Sequence, residues 1–129
     1  MSKVMKVMVV DDASMALVET EAILESAGHQ VIAYIDGVDL EERIVEERPD
    51  VVLLDMVMPG RSGYEVLLAV RADERTKDTR VVAVSSKGRE SEEIRDRCQT
   101  ADEYLAKPFT AEELLTTVRK VARDSEEAI

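Results

Sequence analysis

The fold class follows from residues 51–60, which read VVLLDMVMPG. Val51–Leu54 is a short, continuous aliphatic run, and the carboxylate of Asp55 ends it. A run this short, rich in β-branched residues and without polar alternation, is typical of a strand buried on both faces of a parallel sheet. Pro59 and Gly60 then indicate a turn. We therefore predict a buried strand whose carboxyl end carries an acidic group.

Similar runs lie on either side of this segment. Further strands are predicted at Val7–Val10, Val31–Ile35, Val81–Val84 and Tyr104–Ala106. Helical spacing of apolar residues predicts helices at Met15–Ala27, Leu40–Glu47, Tyr64–Arg71, Glu92–Gln99 and from a Thr110–Glu113 capping box to Val121. Strand and helix alternate throughout, which indicates an α/β fold with parallel strands, right-handed crossovers and helices on both faces.

Length and composition restrict the class of protein. The 129 residues suit one domain, which we expect to span residues 1–124 with a short acidic tail at residues 125–129. Asp and Glu number 28 against 17 Lys and Arg, a formal net charge of −11 at pH 7. Such a surface repels nucleic acids and anionic membranes, so we expect neither as a partner.

The expected location is the cytoplasm. Cys98 is the single cysteine, which excludes an internal disulfide and fits a reducing compartment. No segment approaches the roughly 20 apolar residues needed to cross a bilayer. The first residues do not have the pattern of a signal peptide.

Polar side chains follow four of the five predicted strands. Asp11 and Asp12 come after the first strand, Asp55 after the third, Ser85 after the fourth and Lys107 after the fifth. Ligands of open α/β sheets bind beyond the carboxyl ends of the strands, so these residues should converge on one edge. Taken singly, each has an ordinary explanation as a turn or loop residue. Their co-occurrence at successive strand ends favours a functional site.

The chemistry of this set indicates a phosphoacceptor. Three carboxylates in one crevice repel each other, and a divalent cation relieves that repulsion. Mg²⁺ suits the site because it binds a few carboxylates and keeps positions for water and phosphate oxygens. Lys107 adds a second positive charge, and the hydroxyl of Ser85 can donate a hydrogen bond to a phosphoryl oxygen. The set does not have the composition of a hydrolase triad.

Four segments, in order and at matching spacing, resemble the receiver domain of bacterial response regulators. They are Val9–Asp12, Leu53–Gly63, Val84–Ser86 and Ala101–Phe109. The resemblance covers nearly the whole chain, and the length is similar to that of single-domain, chemotaxis-type members. It implies a flavodoxin-like, doubly wound sheet of five parallel strands in the order 2-1-3-4-5 with five helices.

The same resemblance implies a role for each site residue. Asp55 would accept a phosphoryl group from a histidine kinase or a phosphotransfer protein. Mg²⁺ would be bound by Asp12, Asp55 and the backbone carbonyl of Val57, with Asp11 acting largely through water. Lys107 would pair with the phosphoryl group. The domain would be a phosphoacceptor and not an enzyme.

A conformational switch and a signal lifetime are also implied. Ser85 would follow the phosphoryl group and Tyr104 would turn inward. The surface formed by the predicted fourth helix, fifth strand and fifth helix would then change and control a downstream protein. Val57 and Lys87 would flank the site and tune hydrolysis of the aspartyl phosphate. Ser85 replaces the family's more frequent Thr.

The two alternatives to this interpretation are a longer regulator and a phosphatase. The same domain could be the N-terminal receiver of a longer regulator. A haloacid-dehalogenase-type phosphatase would need a second Asp two residues after the nucleophile, where Val57 cannot move a proton.

Thr100 stands where the receiver family usually has Gly. His29 lies between a helix and a strand, and we expect a loop residue and not a phosphorylation site.

Overall fold

The computed structural model describes residues 4–86, 92–93, 95–96 and 99–127, with the backbone alone for 123–127. Its strands are β1 Lys6–Val10, β2 Gln30–Tyr34, β3 Val51–Asp55, β4 Val81–Ser86 and β5 Glu103–Lys107. Its bounded helices within those ranges are α1 Ser14–Ser26, α2 Leu40–Glu47, α3 Gly63–Ala72 and α4 Ala111–Glu127. Within the same ranges, no helix is both long enough and apolar enough to span a bilayer.

The five strands form one parallel sheet in the order β2-β1-β3-β4-β5. The predicted flavodoxin-like α/β fold and its strand order are therefore confirmed. The chain leaves β1 towards β2 on one side and later returns to place β3 on the other side. Loops that follow β1 and β3 diverge at such a reversal of strand order, and a crevice opens between them.

Alternation along the strands builds a core on each face of the sheet. Val7 and Val9 of β1 pack with α1 and α4, whereas Met8 and Val10 pack with α2 and α3. Successive strand residues point to opposite faces, so a strand between two helical layers must be apolar throughout. This is the physical reason for the continuous apolar runs in the sequence.

Local signals set several element ends. The Thr110 backbone N–H donates to Glu113 Oε1, and the Glu113 N–H donates to Thr110 Oγ1, both at 3.1 Å. These reciprocal bonds are the predicted capping box at the start of α4. Gly28 follows α1 with a φ of +93°, a conformation that glycine adopts without steric cost.

The structure corrects several predicted boundaries. Asp55 and Lys107 are the last residues of their strands and Ser85 the second-to-last of β4, instead of the first residues beyond them. The backbone of α4 continues to Glu127, so residues 125–127 are helical where a loose acidic tail was expected. Of the predicted fourth helix, Glu92, Glu93, Arg95 and Asp96 are described and helical; Gln99 lies in a turn, and residues 94, 97 and 98 lie outside the described part.

Candidate functional site

Three carboxylates meet at the crevice between the ends of β1 and β3. One carboxylate oxygen from each of Asp11, Asp12 and Asp55 lies within 4.8 Å of the other two. Asp11 and Asp55 are buried, whereas Asp12 is exposed. The predicted convergence of these three residues is confirmed. The exposed carboxylate leaves one side of the cluster open to solvent.

The backbone around Asp55 holds its side chain in place. The Val57 N–H donates to Asp55 Oδ1 at 3.0 Å, and the Met56 N–H donates to the Val84 carbonyl at 3.0 Å. Gly63, the first residue of α3, donates its N–H to the Met56 carbonyl at 3.1 Å. A Cβ atom at Gly63 would overlap the Asp55 carbonyl oxygen and the Met56 Cα, so a side chain cannot fit there. The glycine therefore lets α3 begin directly against the end of β3.

Lys107 brings a positive charge to the cluster. Its Nζ lies 2.5 Å from Asp11 Oδ2 and 3.5 Å from Asp55 Oδ2. Burial disfavours the charged ammonium, but the hydrogen bond to Asp11 and the charge of Asp55 leave the pKa of Lys107 raised above its ordinary value. Lys107 is therefore a cation under the conditions in which the cluster is ionised. The Lys107-Pro108 peptide bond is cis.

The negative charge of Asp55 is only partly neutralised by Lys107. Burial raises the pKa of Asp55 to about 6, the Val57 N–H and Lys107 lower it, and the Asp11 charge raises it. Lys107 lies closer to Asp11 than to Asp55, so the ammonium mainly neutralises Asp11. A further cation at the cluster would favour the ionised form of Asp55.

Ser85 and Tyr104 lie on neighbouring strands beside this cluster. Ser85 is buried and pairs in register with Ala106, while Tyr104 pairs with Ala83. Because side chains alternate along a strand, Ser85 and Tyr104 project from the same face of the sheet. Tyr104 is half-buried against the core of that face. The Arg95 guanidinium lies 5.3 Å from the centre of the Tyr104 ring.

Other residues singled out in the sequence lie in varied surroundings. The Val57 side chain is 56% exposed beside Asp55. Lys87 and Cys98 lie outside the described residues. His29 is buried in the loop between α1 and β2, and its Nδ1 accepts a hydrogen bond from the Met5 N–H at 3.1 Å. The Thr100 carbonyl accepts a hydrogen bond from Arg71 Nε at 3.0 Å, which joins the turn before β5 to α3.

The sequence did not predict the contacts of Arg61 with Gly37 and Glu41. Arg61, in the loop between β3 and α3, donates through Nη1 to Glu41 Oε1 at 2.6 Å and to the Gly37 carbonyl at 3.0 Å. Arg61 and Glu41 are 20 residues apart and share no motif. Their opposite charges were the one available hint, and a chain with 45 charged residues offers too many such pairs.

The donor set fits a small hard cation. Carboxylate and carbonyl oxygens are the ligands that Mg²⁺ prefers, and it keeps water in its remaining positions. Asp12 and Asp55 offer carboxylates. The Val57 carbonyl, expected as a third ligand, lies in the loop that follows Asp55. Asp11 already binds Lys107 through Oδ2 and the Ala13 N–H through Oδ1 at 2.9 Å. Asp11 is therefore less available as a direct ligand than the other two carboxylates.

Comparison with known proteins connects this geometry to a family. The model of the response regulator receiver domain matches residues 7–119. Protein PilH of Pseudomonas aeruginosa is 35% identical over 116 residues, which are 90% of this chain and 96% of PilH. Chemotaxis protein CheY4 of Vibrio cholerae superimposes with a TM-score of 0.81 at 29% identity, covering 92% of this chain and 99% of CheY4.

A third comparison concerns the metal. The receiver domain of sensor histidine kinase PA1611 from Pseudomonas aeruginosa has a magnesium ion coordinated in its active-site cleft. It superimposes with a TM-score of 0.83 at 25% identity, covering 94% of this chain and 99% of that domain. Because the family match extends from β1 into α4 and includes every strand end that carries a site residue, this chain belongs to the response regulator receiver domains of two-component signal transduction.

Proposed function

We propose that this receiver domain accepts a phosphoryl group on Asp55 from the phosphohistidine of a histidine kinase or a phosphotransfer protein. The convergence of Asp11, Asp12 and Asp55 within 4.8 Å, with Lys107 beside two of them, carries the proposal. Carboxylates held this close repel each other, and a site that also has to receive a cation and a phosphoryl group explains the arrangement.

Asp55 is the nucleophile of this transfer. Its Oδ1 accepts the Val57 N–H, and its Oδ2, 3.5 Å from the Lys107 ammonium, is the oxygen that attacks phosphorus. A P–O bond to Asp55 forms as the P–N bond of the donor breaks, and the donor imidazole keeps the electron pair of that bond. The domain is thereby a phosphoryl acceptor and not an enzyme that turns over a substrate.

Asp12, Asp55 and the Val57 carbonyl are the residues that would hold Mg²⁺. When bound, the ion supplies positive charge that neutralises the charge of the transferring phosphoryl group. Lys107 supplies the second positive charge, because its ammonium already reaches towards Asp55 Oδ2. Asp11 orients this ammonium through its 2.5 Å contact with it.

Ser85 and Tyr104 carry the signal away from Asp55. The hydroxyl of Ser85 donates to the phosphoryl group and moves towards it, and Tyr104 on the same face turns into the space that is vacated. The two conformations pre-exist, and phosphorylation shifts their populations. The Glu92–Gln99 segment, β5 and α4 then present a changed surface to a downstream protein.

The overall charge bears on partners and location, and the residues beside Asp55 bear on hydrolysis of the phosphoryl group. The acidic surface disfavours nucleic acid and anionic membranes as partners, and a single cysteine is consistent with the cytoplasm. The exposed Val57 side chain borders the approach to Asp55 and cannot hold a water molecule by hydrogen bonding. Lys87, which follows Ser85 by two residues in the sequence, also tunes hydrolysis in this proposal.

The test is phosphorylation by acetyl phosphate with Mg²⁺, followed by intact-protein mass spectrometry. The wild type should gain one phosphoryl group, because the acetate leaves as the P–O bond to Asp55 forms. Asp55→Asn should gain none. Asp12→Ala should also gain none, since it removes a proposed metal ligand.

Asp36→Asn is the matched control, because Asp36 lies in the loop after the neighbouring strand β2 and outside the carboxylate cluster. It should be phosphorylated as the wild type is. Uptake of a phosphoryl group by Asp55→Asn, or normal uptake by Asp12→Ala, would show that the site is wrongly assigned.

A further inference from the structure

Arg61 ties the loop between β3 and α3 to the loop between β2 and α2. Its Nη1 donates to the Gly37 carbonyl at 3.0 Å and to Glu41 Oε1 at 2.6 Å. Glu41 lies in the first turn of α2, and the Gly37 carbonyl also accepts the Leu40 N–H at 3.3 Å. One guanidinium group therefore joins the loop that follows Asp55 to the start of another helix.

The other contacts of this loop hold its ends and Val57, and Arg61 holds the segment between Val57 and Gly63. Hydrogen bonds of Met56 and Gly63 hold its two ends. Between them, Met58 buries its side chain in the core, while Val57 and Gly60 are exposed. The Val57 carbonyl, a proposed ligand of Mg²⁺, lies in this exposed part. Its position is thus set by the fixed ends, by the Val57 N–H bond to Asp55 Oδ1, by Met58 and by the polar contacts of Arg61.

The Arg61–Glu41 ion pair is partly buried, and it can therefore hold the two loops in a fixed relative position. The two side chains are 26% and 24% exposed, whereas the neighbouring Arg75–Glu42 pair is 49% and 64% exposed. Solvent screens the first pair less, and charge-assisted hydrogen bonds are stronger than neutral ones. In agreement, the hydrogen bond from Arg61 holds the pKa of Glu41 below its ordinary value.

We propose that Arg61 is a positioning residue of the phosphorylation site. By holding the β3–α3 loop against Gly37 and Glu41, it places the Val57 carbonyl for Mg²⁺ binding beside Asp55. Mg²⁺ demands near-ideal ligand geometry, so drift of a single carbonyl lowers affinity. This inference rests on the proposed function, since it assigns Arg61 to the same site.

The experiment measures Mg²⁺ affinity of the full chain by amide chemical shifts in an NMR titration. Arg61→Gln should weaken Mg²⁺ binding on the order of tenfold, as removal of a group that supports a metal ligand commonly does. Arg61→Lys keeps a charged donor and should retain most of the affinity. Phosphorylation by acetyl phosphate at fixed Mg²⁺ should slow in the same order.

The sign of the change separates geometry from simple electrostatics. Loss of a positive charge near an acidic cluster strengthens cation binding by Coulomb attraction alone. Arg75→Gln removes the same charge from a pair that involves Glu42, the residue next to Glu41, and does not touch the β3–α3 loop. It should leave Mg²⁺ affinity unchanged or slightly higher, in contrast to Arg61→Gln.

Several outcomes would overturn the positioning role. They are unchanged or tighter Mg²⁺ binding by Arg61→Gln, or equal weakening by Arg75→Gln. If Arg61→Gln does not fold, Arg61→Lys and Glu41→Gln decide, because Glu41→Gln should weaken Mg²⁺ binding by more than Glu42→Gln does. A wild-type chain that binds no Mg²⁺ would overturn the proposed function and the inference together, a result distinct from all of these.

Discussion

The ammonium of Lys107 is shared unequally between two aspartates, and this asymmetry defines the chemistry of Asp55. The Lys107 Nζ is 1 Å closer to Asp11 than to Asp55, at 2.5 Å against 3.5 Å. Asp11 is therefore neutralised within the protein, while buried Asp55 retains a pKa of about 6. An aspartate in this state is stabilised in its ionised form by an additional cation, which supports the proposed magnesium-assisted reaction.

At the same scale, Val57 should control the lifetime of the phosphorylated state. Its side chain neither hydrogen-bonds to a water molecule nor accepts a proton, and in the proposed function it occupies part of the approach to Asp55. Val57→Asn should therefore speed loss of the phosphoryl group by about tenfold, equivalent to ~1.4 kcal/mol in the barrier. The measurement is the decay of phosphorylated protein after acetyl phosphate is removed.

Val38→Asn is the control for this comparison, because Val38 is an exposed valine of the neighbouring β2–α2 loop. It should leave the decay rate unchanged. Decay of the wild type as fast as that of Val57→Asn would contradict the water-exclusion argument.

Among the elements, β5 is the part of the sheet placed to carry a signal. It is an edge strand, and its only sheet neighbour among the described residues is β4, which bears Ser85. Arg95 lies over the ring of Tyr104, and Lys120 of α4 binds Glu103 at 2.7 Å. Movement of Tyr104 would therefore change contacts to the segment before β5, and movement of Glu103 would change those to α4.

We expect addition of Mg²⁺ and beryllofluoride, a phosphoryl analogue, to shift amide NMR signals of Glu92–Gln99, β5 and α4 more than those of α2. Ser85→Ala should keep the shifts beside Asp55 but lose most of the distant ones, because the hydroxyl couples the two regions. Ser86→Ala removes the adjacent hydroxyl, which projects from the opposite face of the sheet, and should keep the wild-type response.

A wild-type response confined to residues beside Asp55 would contradict the switch. The same conclusion would follow if Ser85→Ala and Ser86→Ala behaved alike.

In the whole molecule, two buried groups give stability opposite dependences on pH. Burial and the charge of Arg119 lower the pKa of His29. The folded chain therefore binds a proton on His29 more weakly than the unfolded chain, so stability falls as the pH drops below 6.5. Asp55 acts in the other direction. Folded protein keeps its proton up to about pH 6 and unfolded protein only to about 3.8, so stability falls as the pH rises through that window.

Asp55→Asn should therefore stabilise the metal-free protein at pH 7.5, on the order of 2 kcal/mol in the free energy of unfolding. The advantage should shrink as the pH approaches 4, where wild-type Asp55 is protonated. Urea unfolding at a series of pH values in EDTA measures both trends. The variant should keep the pH dependence that comes from His29 and lose the opposite dependence that comes from Asp55. Mg²⁺ should stabilise the wild type and not the variant. A variant less stable than the wild type at pH 7.5 would contradict this account.

The amino-acid sequence by itself determined the element types, the parallel sheet and the edge at which the site lies. These features depend on local order: a strand covered on both faces must be apolar throughout, as Val51–Leu54 is, and a capping box acts within one turn, as at Thr110 and Glu113. The carboxyl ends of parallel strands share an edge in any such sheet, so Asp11, Asp55 and Lys107 were expected to meet. Their family motif then supplied the strand order.

Only the tertiary structure decided which groups within that edge are paired. The unequal sharing of Lys107, the contact of Arg61 with Glu41 and the hydrogen bond from Arg71 to the Thr100 carbonyl join residues far apart in the chain. Tertiary packing likewise decided that α1 and α4 cover one face while α2 and α3 cover the other. Distances of this kind depend on how all the layers pack together, and a change of an ångström alters a charge pair although the sequence pattern is the same.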